Sequence, residues 1–212
     1  MQSNNSILKT IIMKRTSLAI IFACCMLALT AQDAIRVKSR GANPTISDFA
    51  WAYFDYINED ECGDKPCNAV KDAIMRYLGG QPQEEGVTLI VDERNGYIGY
   101  EYRRDENSVH RMEMCYWNEA DGKHKLFAFN NMAYVSAGKP VLTETSGLDF
   151  FRYNKATKKM SFCSAPGFEV YEMQPATFAL PRTGKDITVT QWHDNGTTTD
   201  KTLKWDGHKF SF

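Results

Sequence analysis

The residues of this chain with the chemistry to set a function are four histidines, six cysteines, four tryptophans and a dispersed set of acids. His193 stands beside Asp194, and a histidine–carboxylate pair can shuttle protons in a hydrolase. Both residues, however, sit in His193-Asp194-Asn195-Gly196, where Asp, Asn and Gly are the residues a turn demands. His124 and His208 each follow an Asp-Gly pair closely, and His110 lies within a β-like run. No G-x-S-x-G, H-E-x-x-H or phosphate-loop pattern occurs. A hydrolase would have to rest on His193 or on carboxylates drawn from 26 acids, so no catalytic residue is assigned.

Of the cysteines, Cys24 and Cys25 fall in an apolar N-terminal run, leaving Cys62, Cys67, Cys115 and Cys163. Four cysteines in an oxidising compartment suit two disulfides. The pairings favoured are Cys62–Cys67, closing a tight loop, and Cys115–Cys163, linking two strands. No CxxC or histidine at ligand spacing suggests zinc. Glu59-Asp60-Glu61 with Asp64 could offer oxygens to calcium but lacks the spaced ligand pattern of an EF-hand loop, and a solvated acidic loop is the simpler reading. No metal or cofactor is expected.

The tryptophans are Trp51, Trp117, Trp192 and Trp205. Large aromatics chiefly fill cores, where burying one stabilises by about 1.5–3 kcal/mol. Those exposed on a sheet face can instead stack on sugar rings. Trp117 and Trp192 are the ligand-binding candidates, since each falls on the less apolar side of its alternation.

The chain must be carried somewhere before any of this matters. Met13-Lys14-Arg15 precedes the apolar run Leu18–Leu29, which ends in Thr30-Ala31-Gln32. A basic start, a short apolar stretch and small residues at the end form a secretory signal. The start is placed at Met13 and cleavage after Ala31 or Gln32. Ile21-Phe22-Ala23-Cys24 loosely matches a lipidation site, but Phe22 is bulky there and the apolar run continues beyond Cys24. Removing residues 1–32 takes Lys9, Lys14, Arg15 and no acid, which leaves 22 basic against 26 acidic residues over 180 positions. That mild acidity excludes a nucleic-acid partner, which wants a basic face. No later stretch is long and apolar enough to span a bilayer.

Residues 33–44 read as an extended leader. Thr45 with Asp48 resembles a capping box, and Ile46, Phe49, Tyr53 and Ile57 keep one helical stripe. Asn68 to Leu78 gives a second helix, with Val70, Ala73, Ile74 and Tyr77 on one face, stopped by Gly79-Gly80. From residue 87 the period changes to strands joined by Asn-Gly and Asp-Gly turns. On Val109–Trp117, Met112, Met114 and Tyr116 share one face, and Arg111, Glu113, Cys115 and Trp117 the other. The segments Trp117–Phe127 and Trp205–Phe210 look alike: each has a Trp, an Asp-Gly turn, a His or Lys and an aromatic strand. The fold class is α+β, with an N-terminal helical hairpin over 45–79 packed with an antiparallel body of several hairpins over 87–212, in a single domain.

Leu29-Thr30-Ala31-Gln32, Cys115-Tyr116-Trp117-Asn118 through Phe127, and Leu148–Asn154 together give the chain a resemblance to small uncharacterised exported proteins of the Bacteroidota envelope. The resemblance covers about half of the processed chain and implies an envelope protein of a diderm bacterium without assigned activity. The function expected is a non-catalytic binding or interaction module of the periplasm or cell surface, its partner a glycan, a peptide or an envelope protein. A secreted hydrolase and a structural envelope component are the alternatives.

Overall fold

The computed structural model describes residues 34–57, 66–105, 108–135, 139–141, 147–169 and 175–212, with only the backbone described at 66–68, 104, 108, 132–135 and 139–141. The expected signal segment, the acidic loop 59–64 with its calcium reading, Cys62 and the Cys67 side chain lie outside the described residues.

Helix α1, Ile46–Ile57, starts as its sequence asks. The Asp48 carboxylate accepts from Thr45 N at 2.9 Å and is bound from outside by Arg40 Nε at 3.1 Å, which keeps it satisfied although buried. Helix α2, Pro66–Leu78, ends at Gly79-Gly80 with Gln81 N reaching back to Arg76 O and Gly80 N to Tyr77 O, the pattern of a Schellman cap. Val70, Ala73 and Ile74 are buried as their spacing predicts, whereas Tyr77 is exposed.

Among the described residues are twelve strands, numbered in chain order and all in antiparallel pairs. They are β1 Ile35–Arg36, β2 Val87–Asp92, β3 Tyr97–Asp105, β4 Ser108–Asn118, β5 His124–Val135, β6 Lys139–Val141, β7 Gly147–Asn154, β8 Lys159–Phe162, β9 Ala176–Ala179, β10 Ile187–Trp192, β11 Thr198–Trp205 and β12 Phe210–Ser211. The large sheet runs β1-β8-β7-β5-β4-β3-β2, with β6 added beside β5, and the small sheet runs β12-β11-β10-β9. The segment 33–44, expected only as a leader, supplies β1 and buries Ile35 and Val37.

Both faces of the large sheet are covered. Ile98, Met112, Met114, Phe127, Phe129 and Tyr153 meet α1 and α2, while Tyr97, Cys115, Trp117, Leu126, Ala128 and Phe150 meet the small sheet. Three layers result: helices, large sheet, small sheet. That double burial is why every residue from Lys125 to Asn130 is buried, although a sheet with one wet face would alternate.

One expectation is corrected by the register. Cys115 and Cys163 are free thiols, not a disulfide. Cys115 lies opposite Ala128, Ala128 opposite Phe150, and Cys163 N donates to Phe150 O. Strands β5 and β7 therefore stand between them. Three strand spacings, about 14 Å in total, exceed the roughly 7 Å that a disulfide can bridge.

Candidate functional site

The two similar segments of the sequence prove to be one local structure built twice. Asp121 Oδ1 accepts from Lys123 N at 2.8 Å and His124 N at 3.0 Å. Asp206 Oδ1 accepts from His208 N at 2.7 Å and Lys209 N at 2.8 Å. Each aspartate thus closes its turn through the backbone two and three residues on. Gly122 and Gly207 take the following position with φ of +67° and +101°, which a side chain would strain. Hydrogen bonds of this kind favour the ionised form and hold both carboxyls below the usual range; at Asp121 the bond from His124 acts most strongly.

These turns touch. Ala120 N donates to Gly207 O at 2.9 Å, and beneath them the Trp117 and Trp205 rings lie 6.2 Å apart. Phe210 meets Trp117 edge-on at 5.4 Å, and Trp117 Nε1 donates to Lys185 O at 2.8 Å. Trp117 is 5% exposed, in the layer between the sheets. It occupies the core place that large aromatics ordinarily take.

Beside the paired turns opens a cleft of about 310 Å³. Its polar groups are Glu119, Asp121, Arg152, Ser164 and His208, and Leu126, Cys163 and Pro166 form its apolar wall. Arg152 on β7 reaches Glu119 with two parallel bonds, Nε to Oε1 at 2.7 Å and NH2 to Oε2 at 2.5 Å, and lies 3.6 Å from Asp121. Such a fork is rigid as well as charge-compensating. His124 buttresses Asp121 with Nδ1 at 2.5 Å from Oδ2, while its Nε2 faces Asn154 Nδ2 at 3.2 Å. Since the amide donates, Nε2 accepts and the ring proton sits on Nδ1, an assignment made from the network.

Glu119, Asp121 and His124 bring three ligand-type atoms within 4.8 Å of one another. They could hold a cation only by releasing Arg152 from Glu119 and the His124 proton from Asp121. Burial pushes the Cys163 thiol up to about 11 and the Cys115 thiol well above its ordinary value, so both remain protonated at neutral pH.

Trp192 ends β10 on the outer face of the small sheet. Its Nε1 donates to Thr177 Oγ1 at 3.1 Å. Thr190 and Asp200, hydrogen-bonded at 2.6 Å, share that uncovered face. His193 Nε2 meets Thr199 Oγ1 at 2.9 Å on the exposed turn. Trp117 and Trp192 thus lie on opposite sides of the small sheet. Arg152, Glu119 and Ser164 were not singled out in the sequence, where the likeness of the two Trp–Asp–Gly segments was the signal that led toward them.

No protein-family model, curated protein or solved structure matches the chain. Among the described residues no helix is long and apolar enough to cross a membrane.

Proposed function

We propose that this chain is an exported binding module of a diderm cell envelope that receives a small polar ligand in the cleft beside the two Trp–Asp–Gly turns. The observation that carries this reading is the meeting of turns 85 positions apart, at Asp121 and Asp206, beside a preformed cavity where Glu119, Asp121, Arg152 and His208 converge on an apolar wall. Ligand sites are typically concave, preformed and furnished with a few convergent polar groups. With two carboxylates against one guanidinium, the cleft favours an uncharged or cationic ligand rich in hydroxyl or ammonium groups. Export is supported by the basic start, short apolar run and small-residue end of residues 13–32.

Ser164 is exposed and lines the cleft, so Ser164→Trp fills it with little effect on folding. A panel of monosaccharides, amino sugars, amino acids and dipeptides is screened by thermal shift. A compound that raises the melting temperature of the parent chain and leaves Ser164→Trp unmoved supports the proposal. Equal shifts in both chains count against the cleft. The intact mass of the chain recovered from a diderm host tests export: an N-terminus near residue 32 or 33 is expected, an unprocessed chain contradicts it, and a lipid-modified Cys24 would mark a tethered form.

Trp192 supports a second reading. Its half-buried ring stands on the face of the small sheet turned away from the large one, among Thr177, Thr190 and Asp200, a surface suited to stacking a sugar and bonding its hydroxyls.

A further inference from the structure

The two ends of the large sheet differ. β1 ends it with two residues, whereas β2 offers six, Val87–Asp92. The hydrogen bonds determine which β2 peptide groups face outward. Arg103 N donates to Gly86 O at 2.9 Å, so Gly86 and Arg103 are a hydrogen-bonded pair. By alternation, Thr88 with Glu101 and Ile90 with Gly99 are the next such pairs. On the other side of β3, Tyr116 N donates to Gly96 O, which gives the same alternation independently. Leu89 and Val91 therefore direct N–H and C=O away from the sheet. The Val87 N–H is already taken by Glu84 O at 3.1 Å. No described strand pairs with this side of β2.

Natural sheets blunt a free edge with lysine, proline, a bulge or extreme shortness. Val87-Thr88-Leu89-Ile90-Val91 has none of these, and Ile90 is 37% exposed. The only charge, Asp92 at the strand's end, is held by Asn95 and Arg182.

We infer that β2 pairs antiparallel with β2 of a second copy of this chain about a two-fold axis, joining two large sheets into one. A two-fold contact is self-complementary by construction. Outward-facing residues must meet outward-facing residues, which admits registers centred on Ile90 or on Leu89. The Leu89-centred register sets Glu85 against Glu93 at both ends and calls on the Val87 N–H that Glu84 O already holds. The Ile90-centred register sets Leu89 against Val91 twice, using four outward N–H and four outward C=O groups of the two chains in four bonds. It also brings Arg94 opposite Gly86, next to Glu84 and Glu85 of the other copy. The Ile90-centred pairing is the one adopted. So short a contact belongs to the weak, concentration-dependent class of interfaces.

Sedimentation velocity of the chain recovered from a diderm host, from micromolar to millimolar concentration, should show reversible dimerisation. Ile90→Lys should leave only monomer, with circular dichroism and melting temperature unchanged. Cross-linking tests the register. Ile90 faces its own symmetry mate in a non-hydrogen-bonded pair, with Cβ atoms roughly 4.5–5.5 Å apart, close enough for a disulfide after modest adjustment. Ile90→Cys should therefore form a covalent dimer in a glutathione buffer, whereas Thr88→Cys and the parent chain should not. A chain that stays monomeric at millimolar concentration overturns the inference, as does Ile90→Cys cross-linking no better than Thr88→Cys.

Discussion

The two faces of the large sheet are buried by different means. Against the helices the contacts are almost wholly aromatic and aliphatic: Phe49 packs on Phe127 at 5.6 Å and edge-on to Tyr153 at 5.1 Å, and Tyr53 meets Phe129 at a tilt, 4.7 Å between centroids. Against the small sheet, polar bonds are threaded through the apolar layer. Buried Glu113 accepts from Tyr97 Oη at 3.1 Å, Asn130 Nδ2 at 3.3 Å and Leu180 N at 3.0 Å, and Asn130 also donates to Phe178 O at 2.8 Å. A helix satisfies its own backbone, so it can lie on a sheet through side chains alone. The segment around β9 has edge groups to satisfy, and side chains of the large sheet supply partners. The sheet-on-sheet side is thus positioned bond by bond, and it is the side that ends in the cleft.

The largest effects should come from emptying either layer. Phe127→Ala and Trp117→Ala are each expected to lose about 3–5 kcal/mol in urea unfolding. They should part in what they do to the turns. Trp117→Ala should shift the Gly122 and Gly207 amide resonances, and Phe127→Ala should leave them in place. If both variants disturb the turns equally, the two layers are not separable.

On the helix side the large sheet itself buries a charged group, Lys125. Its Nζ lies 3.7 Å from the Tyr116 ring centroid, and burial brings its pKa down to about 8. The folded state thus disfavours the charged amine. Below pH 8 the penalty applies in full. Between pH 8 and 10 the unfolded chain holds more protons here, so stability rises with pH. Burial raises Tyr97, Tyr100 and Tyr116 above their ordinary values, and stability should fall again above pH 10, where the unfolded tyrosines ionise first. Lys125→Met should be the more stable chain at pH 7 and lack the rise between pH 8 and 10. A parallel pH profile in the two chains would show that the amine escapes to water.

A smaller effect is expected at Glu113. Glu113→Gln puts an amide where a carboxylate took three donors, and an unsatisfied Leu180 N–H costs about 1–3 kcal/mol. Hydrogen exchange should quicken at β9 and β10 more than at α1. The smallest change belongs to Trp192→Ala, which should move stability by no more than about 1 kcal/mol because the ring is only half-buried and lies outside both cores. A larger loss would assign Trp192 to the structure and end the glycan reading of that face.

How far these features could be read beforehand depended on whether they were local. The α1 cap, its apolar stripe and the hairpins around Asn95-Gly96, Asp121-Gly122 and Asp206-Gly207 are settled within a few residues, and the sequence carries them. The edge strand β1 has two residues and a partner, β8, far along the chain, and β9 has only four residues, although its partner β10 follows closely. Glu113 gave no sign of its role, since its partners at 97, 130 and 180 meet only after both sheets form. Trp117 misled because its neighbours Glu113 and Arg111 made that face look wet, when a second sheet covers it. Cys115 and Cys163 were paired by count, and only the register showed two strands between them. The cleft was half legible: the likeness of two Trp–Asp–Gly segments was visible, but not that they touch.

The central claim, that ligand binds beside the two turns, is met most directly by amide and indole chemical-shift mapping of the isotopically labelled chain with the same small-molecule panel. The cleft account predicts that a binding compound perturbs Gly122, Ser164, Gly207 and His208 together, with the Trp192 indole unmoved. Perturbations centred on Trp192 and Thr177 instead, with those four amides silent, would contradict it.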